Sequence, residues 1–274
     1  MDKKINDIGE LSGKILVFGG VYSNLQALQS LKELAEDLDI SPDNCICTGD
    51  IVGYCAQPEE TIQFFRSWGA QTIAGNVEIQ LANDEEDCGC DFREGSRCDD
   101  FSKEWYPYAK MMLSKESVSW MKDIPEHIQF KYAGKKVFVV HGSFFNTSEF
   151  IFKSTSWDKK QQNFDYTKSD IILAGHCGLP FSDSKNEKLW INPGVIGMPA
   201  NDGSNKTWYA ILNDSSSNLV EFQQLEYDHA KANELMLKNN LPAAYAATLK
   251  TGIWDNMEIL PAEEASRQGE LIRF

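Results

Sequence analysis

Four apolar segments of this chain end in the same way, and this shared ending constrains the fold most. Each segment has the composition of a short buried strand and is followed by a polar side chain, with glycine beside it. The four polar residues are Asp50, Asn76, His141 and His176. A lone Gly-Asp or Gly-Asn is ordinary turn chemistry, but four such endings predict side chains gathered at sheet edges. One carboxylate, one amide and two imidazoles can together hold a single divalent metal.

The opening of the chain alternates predicted strands and helices. Lys14–Phe18 has the composition of a buried strand, and Ser23 with Gln26 has the spacing of a capping box for the helix that follows. Pro58 predicts the start of a second helix, because proline is favoured in a first helical turn. A third strand over residues 71–74 completes a β-α-β-α-β pattern, which is typical of a layered α/β fold.

The second half of the chain is rich in predicted strands. They cover residues 137–140, 171–174, 189–192, 207–212 and 219–227. The turn-forming residues 213–218 predict an antiparallel hairpin between the last two strands. Two helices are expected in residues 228–252, the helical C-terminal part. We therefore predict one domain over residues 1–252, followed by a tail over residues 253–274.

Residues 83–121 differ in kind and are predicted to form an acidic insertion or cap. Residues 83–100 carry eight acidic side chains together with Cys88, Cys90 and Cys98. Three thiolates with one borrowed ligand could hold zinc. The spacing contains no paired Cys-x-x-Cys, which favours the alternative of a solvated acidic loop.

The net charge limits the partners that this chain can bind. The formal charge is −15 at pH 7, which argues against a nucleic-acid polymer because such binding needs a basic surface. A phosphorylated small molecule stays compatible, since a bound metal supplies positive charge locally. The polar start of the chain has no signal-peptide pattern, and no apolar run is long enough to span a membrane. We expect a cytoplasmic protein with no membrane partner, whose cysteines are mostly reduced.

Five motifs, in this order, resemble the calcineurin-like metallophosphoesterase superfamily. They are Gly49-Asp50, Gly75-Asn76, His141-Gly142-Ser143, Gly175-His176 and Ile191-Asn192-Pro193-Gly194. The branch they resemble more closely contains small prokaryotic proteins related to diadenosine tetraphosphatases and bacterial phosphodiesterases. The resemblance extends to about Gly252. It implies an α/β (α+β) fold, a four-layer α-β-β-α sandwich of two mixed sheets, with a metal centre at the strand ends.

The resemblance also implies two metals, of which only one keeps its ligands here. The second-metal ligands map onto Asp50, Asn76, His141 and His176, which suit Mn, Zn or Fe. Three positions that would hold the first metal are occupied by Gly20, Tyr22 and Gly178. Val77 stands where the family has its proton-donating histidine. We therefore expect at most one divalent ion and no intact catalytic residue.

Several side chains could replace what is missing, and each has a plainer interpretation. Tyr22 could bind a metal or hydrogen-bond a phosphate, but its apolar body favours an aromatic that fills the empty position. Cys177 beside His176 could be a soft ligand, although alternation along an extended chain favours a buried structural thiol. Core positions are expected for Cys45 and Cys47, and surface or capping positions for His127 and His229.

Two functions stay open on this basis. One is a catalytically impaired protein of the phosphoesterase fold that binds a phosphorylated small molecule or a protein partner. The other is an active metal-dependent phosphoesterase that uses one metal or a rebuilt two-metal centre. A third interpretation is that the four ligands persist only because they hydrogen-bond one another.

Overall fold

The computed structural model describes residues 3–274, which form two β-sheets flanked by helices. The strands are β1 (Ile5–Leu11), β2 (Lys14–Phe18), β3 (Cys45–Cys47), β4 (Gln71–Thr72), β5 (His127–Tyr132), β6 (Lys135–Val139), β7 (Ile171–Leu173), β8 (Pro180–Lys185), β9 (Lys188–Pro193), β10 (Thr207–Asn213) and β11 (Val220–Leu225). The helices are α1 (Leu25–Asp37), α2 (Pro58–Trp68), α3 (Asn76–Ala82), α4 (Arg97–Met112), α5 (Lys115–Met121), α6 (Trp157–Thr167), α7 (His229–Lys238), α8 (Ala243–Thr251) and α9 (Ala262–Ala265).

Both sheets contain parallel and antiparallel neighbours. The first sheet has the order β1-β5-β6-β7-β9-β8 and the second the order β11-β10-β2-β3-β4. Strands β6, β7 and β9 run parallel in the first sheet, as do β2, β3 and β4 in the second. Parallel neighbours end at the same sheet edge, so the loops that follow these strands lie close together.

The alternation of side chains along β2 shows how the two sheets pack. Ile15 and Val17 join a buried cluster with strands of the other sheet, including Leu173 of β7. Leu16 and Phe18, which point the other way, pack among the helices on the outer face. Both faces of β2 are therefore buried, which explains its uninterrupted apolar sequence.

A third cluster completes the layers. Phe164 of α6 packs with Trp190 and Ile172 on the outer face of the first sheet. The chain thus has helices, sheet, sheet and helix in succession, which confirms the predicted four-layer α-β-β-α sandwich of two mixed sheets.

The sequence analysis did not predict three strands, β1, β5 and β8. Strand β1 is largely exposed, and the outer half of β8 is polar, so neither has the apolar pattern of a buried strand. Strand β5 was also missed, and β4 is shorter than predicted. The hairpin of β10 and β11 is confirmed as antiparallel, and α7 and α8 lie within residues 228–252.

The predicted Ser23–Gln26 capping box is wrong by one residue. Asn24 caps α1, because its side-chain oxygen accepts a hydrogen bond from the Ala27 amide at 3.2 Å. Ser23 has a φ of 57°, and its hydroxyl accepts a hydrogen bond from the Gly53 amide instead.

The last 22 residues run along the domain. The Trp254 amide donates to Asn201 Oδ1 at 2.8 Å, and its indole donates to the Pro199 carbonyl at 2.7 Å. Asp255 pairs with Arg97 of α4 at 2.9 Å. None of the helices in the described part of the chain combines the length and apolarity that crossing a bilayer requires.

Candidate metal centre

The structure brings the four predicted ligands together at the strand ends. Asp50 follows β3, His141 follows β6, His176 follows β7, and Asn76 is the first residue of α3. All four side chains are buried. Each sheet contributes part of this set. The parallel strands of the two sheets must therefore end close to each other.

His141 lies at the middle of this group. Its Nε2 atom is 3.2 Å from Asp50 Oδ2, 3.1 Å from Asn76 Oδ1 and 3.2 Å from His176 Nδ1. Its other nitrogen, Nδ1, donates a hydrogen bond to the Thr48 carbonyl at 2.7 Å. In neutral His141 the hydrogen is therefore on Nδ1, and the Nε2 lone pair faces oxygen and nitrogen acceptors. A proton shared with Asp50 satisfies this arrangement, and so does a metal ion that replaces the proton.

The spacing of these atoms fits a divalent ion. Ligand atoms about 2.0–2.2 Å from an ion lie roughly 3.0–3.5 Å from one another. Asp50, His141 and His176 each offer one atom, and these atoms lie within 4.8 Å of one another. Neutral imidazole, carboxylate and amide donors suit Mn, Zn or Fe.

The protonation of the ligands follows from burial and from their mutual charges. Burial opposes ionisation of Asp50, but His141 outweighs it and holds the pKa of Asp50 below its usual value. Burial likewise disfavours protonation of His141, yet Asp50 raises the pKa of His141 above its usual value. Burial lowers the pKa of His176 to about 3, with His141 adding to the shift. His176 is therefore neutral at pH 7, as a metal ligand must be.

Two ligands have an unusual backbone that orients them. Asp50 has a φ of 57° and His176 a φ of 63°. Left-handed residues other than glycine cost about 1–3 kcal/mol, so neighbours must hold them. Asn192 does so for His176, because its amide donates to the Gly175 carbonyl at 2.7 Å.

Glu78 holds Asp50, and the sequence analysis did not single it out for this role. Its carboxylate is fully buried and accepts hydrogen bonds from the backbone amides of Asp50, Val52 and Gly75 at 2.9–3.0 Å. Burial, with Asp50 nearby, raises the pKa of Glu78 to about 7. The available signal was Glu78 three residues after Gly75 at a helix start, the spacing of a capping box.

Gly20 and Gly178, which the sequence analysis assigned to a lost first-metal site, each lie beside an aromatic side chain. A Cβ on Gly20 would lie 2.4 Å from Cζ of Tyr22, so the Tyr22 ring occupies the space of a Gly20 side chain. Gly178 has a φ of 78°, and a Cβ there would lie 3.4 Å from the Trp254 ring. Burial and Asp50 raise the pKa of Tyr22 well above its usual value, so Tyr22 is a neutral phenol in this structure.

Val77 offers no proton donor. Its side chain is buried in the outer cluster at the start of α3, and its backbone amide donates to Asp50 Oδ1 at 3.4 Å. The histidine that the family places here therefore has no substitute at this position.

The three-cysteine zinc site, which the sequence analysis kept as the less favoured alternative, is not formed. Among residues 3–274, Asp50, His141 and His176 are the only cluster of three or more His, Cys, Asp or Glu ligand atoms within 4.8 Å. Cys90 Sγ instead accepts a hydrogen bond from Asn76 Nδ2 at 3.2 Å, whereas Cys98 Sγ lies 3.5 Å from Asn256 Oδ1. The solvated-loop alternative also fails for the thiols, because Cys88 and Cys98 are buried.

The remaining cysteines and histidines lie apart from the metal ligands. Cys177 Sγ is 3.1 Å from the Asn192 amide, so it is a buried structural thiol, and Cys45 and Cys47 are core residues. His127 is buried against Phe138 and Phe144, which corrects its predicted surface or capping position. His229 is the first residue of α7.

A small cavity opens beside Asp50 and His176. Its volume is about 80 Å³, and neither lysine nor arginine lines it in the described part of the chain. Its aromatic lining consists of Tyr22, Tyr54, Phe92, Phe150, Tyr245 and Trp254. A negatively charged ligand in this cavity therefore depends on a bound cation for charge balance.

Comparison with known proteins finds a family profile that matches most of this chain. The profile of the "Calcineurin-like phosphoesterase superfamily domain" matches residues 14–216. An uncharacterized protein of Methanocaldococcus jannaschii is 29% identical over 248 residues, covering 83% of this chain and 93% of the relative.

Two solved structures share the fold. A metallophosphoesterase from Sphaerobacter thermophilus superposes with a TM-score of 0.69 at 22% identity, covering 89% of this chain and 100% of that chain. A hypothetical protein from Pyrococcus horikoshii superposes with a TM-score of 0.74 at 19% identity, covering 88% of this chain and 99% of the other.

Proposed function

The chain belongs to the calcineurin-like phosphoesterase superfamily, and from this premise we propose that it is a one-metal, catalytically impaired member. Asp50, Asn76, His141 and His176 hold a single divalent ion. A small phosphorylated molecule binds beside that ion, in the aromatic cavity. The observation that carries the proposal is the convergence of Asp50 Oδ2, Asn76 Oδ1 and His176 Nδ1 within 3.1–3.2 Å of His141 Nε2.

The one-metal assignment is supported by what occupies the other ligand positions. The Tyr22 ring fills the space beside Gly20, and Trp254 covers Gly178. A bound ion acidifies water from a pKa of 15.7 to about 7, but one ion alone lacks the symmetric clamp of a two-metal site. The family histidine replaced by Val77 would contribute roughly 10²–10⁴-fold by proton transfer. Together these losses make hydrolysis slow.

The cavity supports a small ligand. Its volume of about 80 Å³ is several times the roughly 10–15 Å³ that one water needs on the same measure, so it has room for a small group. Tyr22 lines this space, and its phenol stays neutral because burial and Asp50 raise its pKa well above its usual value. A phosphoryl group with a short substituent satisfies both features, and a long polyanion does not. A protein partner is compatible with this proposal but has no specific support in the geometry.

Metal content and phosphate binding test the proposal together. Wild-type protein loaded with Mn²⁺ should hold one ion per chain and bind inorganic phosphate in calorimetry. Asp50→Ala should abolish both, whereas Asp43→Ala, on the exposed surface, should change neither. If Asp50→Ala keeps both the bound ion and the phosphate binding, the proposed site is overturned.

One observation favours the alternative of an active phosphoesterase. The Tyr22 hydroxyl could hydrogen-bond a leaving group in place of the missing histidine. Chromogenic phosphomonoesters and phosphodiesters with Mn²⁺ distinguish the two functions. We expect turnover orders of magnitude below the usual range of about 1–10³ s⁻¹, and a value inside that range establishes the alternative.

A further inference from the structure

The turn Cys88-Gly89-Cys90 holds one of the metal ligands. Asn76 Nδ2 donates hydrogen bonds to the Cys88 carbonyl at 2.7 Å and to Cys90 Sγ at 3.2 Å. The oxygen of the same amide, Oδ1, lies 3.1 Å from His141 Nε2. The turn therefore determines that the oxygen of Asn76, and not its nitrogen, faces the metal ligands.

The two thiols of this turn are neighbours. Only Gly89, with a φ of 69°, separates them in the chain, and the Asn76 amide donates both to the Cys88 carbonyl and to Cys90 Sγ. A residue that is not fully extended brings its two neighbours within the Cα separation of disulfides, about 4.4–6.8 Å. Other side chains hold the turn, since Asp87 accepts from the Gly89 amide and Ser148 donates to the Gly89 carbonyl.

The thiols also have a route to solution. Cys90 is partly exposed and lines the cavity beside Asp50 and His176. A disulfide in solution therefore reaches Cys90 at this partly exposed edge, and Cys98 and Cys177 line the same cavity. Cys98 belongs to the same segment but contacts Asn256, away from Asn76.

We propose that Cys88 and Cys90 form a reversible disulfide with oxidised low-molecular-weight thiols, and that this oxidation weakens metal binding through Asn76. One thiol displaces a sulfur of the oxidant to give a mixed disulfide, and the other then displaces the remaining sulfur. The protein loses two electrons and two protons, and the oxidant is reduced to two thiols. The second half of the proposal rests on the one-metal function proposed above.

The expected effect follows from the hydrogen bonds to Asn76. Cys90 Sγ turned toward Cys88 no longer faces Asn76 Nδ2, and closure of the turn displaces the Cys88 carbonyl. Groups that orient a metal ligand typically contribute 10–100-fold to affinity. We therefore expect the oxidised protein to bind Mn²⁺ about 10-fold more weakly or worse.

The test uses full-length protein treated with oxidised glutathione. Intact mass should fall by the mass of two hydrogen atoms, and peptide mapping should locate one bond between Cys88 and Cys90. Titration with Mn²⁺, followed by electron paramagnetic resonance, should show weaker binding that a phosphine reductant restores. Mn²⁺ is chosen because thiols are poor ligands for it.

Two variants separate the possible results. Cys90→Ser should lose both the disulfide and the oxidant effect on Mn²⁺ affinity, whereas Cys98→Ser should keep both. A stable glutathione adduct, a different pairing, or a disulfide that leaves affinity unchanged overturns the proposal. If reduced wild type binds no Mn²⁺, the proposed function fails, and the mass measurement still decides whether the disulfide forms.

Discussion

Asp50 is held so tightly that its neighbours leave no room for a methyl group. A Cβ on Gly75 would lie 2.0 Å from Asp50 Oδ1, although the φ of Gly75 is an ordinary −81°. Gly75 is therefore needed for close approach, not for backbone freedom. Glu78 closes the arrangement by accepting hydrogen bonds from both Asp50 and Gly75.

Gly75→Ala tests this close approach. The added methyl group must displace the Asp50 carboxylate, so we expect Mn²⁺ affinity to fall at least about 10-fold, as for other changes in ligand orientation. Gly134→Ala is a remote control: alanine is strained at the Gly134 φ of 73°, but nothing lies within 4 Å of its Cβ position in the β5–β6 turn, so Mn²⁺ affinity should stay unchanged. Equal Mn²⁺ affinity in the two variants would contradict the role given to Gly75.

His127 should make stability depend on pH. Burial, with Lys3 nearby, lowers the pKa of His127 to about 4 from its ordinary value of 6.5. The unfolded chain therefore binds this proton at a higher pH than the folded chain. The stability that neutral His127 contributes is complete above pH 6.5 and is lost as the pH falls toward 4.

His127→Phe removes this dependence while keeping a ring between Phe138 and Phe144. Urea unfolding at pH 7 and pH 4 gives the loss of unfolding free energy between these two pH values for each protein. We expect this loss to be smaller in the variant than in wild type, by up to about 3 kcal/mol. Parallel pH curves for the two proteins would show that His127 is protonated without cost in the folded state.

At the scale of the elements, the residues at the strand ends could be predicted from the sequence, whereas the edge strand β1 could not. Asp50, His141 and His176 follow short apolar strands whose flanking glycines mark the turns, so their gathering could be expected. Strand β1 is mostly exposed and pairs with β5 only at the edge of its sheet. Its local sequence has no apolar alternation, and only the tertiary pairing makes it a strand.

The packing of Tyr22 against Gly20 could not be predicted from the sequence either. The sequence predicted an aromatic filling an empty position, but only the backbone shows that the Tyr22 ring lies over its own neighbour two residues back. In the same way, the left-handed φ of Gly178 and the approach of Trp254 depend on the fold of the last 22 residues.

The end of β2 offers a test by reconstruction. Gly20→Asp alone should overpack against Tyr22 and lower stability by about 1–3 kcal/mol. Gly20→Asp with Tyr22→His should recover that loss and begin to restore a second metal position. Thermal melting and metal stoichiometry follow both effects, and a double variant less stable than the single one would contradict the packing account.

Completing the reconstruction is harder at the other strand end. Val77→His supplies the missing proton donor, but Gly178→His places a side chain at a φ of 78° and against Trp254. A variant with all four changes, Gly20→Asp, Tyr22→His, Val77→His and Gly178→His, should gain a second ion and measurable phosphodiester hydrolysis only when Trp254→Ala is added. Full activity without that change would show that Trp254 does not cover the position.

At the scale of the whole molecule, the sandwich and its last residues build one site from distant parts of the chain. Two sheets supply the ligands, the acidic segment before α4 orients Asn76, and Trp254 closes the cavity from the C-terminal side. The formal charge of −15 favours cations near this site and opposes polyanions. These features agree with one bound ion and a small ligand.

The most direct measurement is an anomalous-scattering map of crystals grown with excess Mn²⁺, paired with elemental analysis of the same protein. The account predicts a single peak enclosed by Asp50, Asn76, His141 and His176, at one ion per chain. Two peaks about 3.5–4 Å apart, the spacing of a dinuclear centre, would contradict it. An absent peak would equally refute the proposal that these four residues hold a metal.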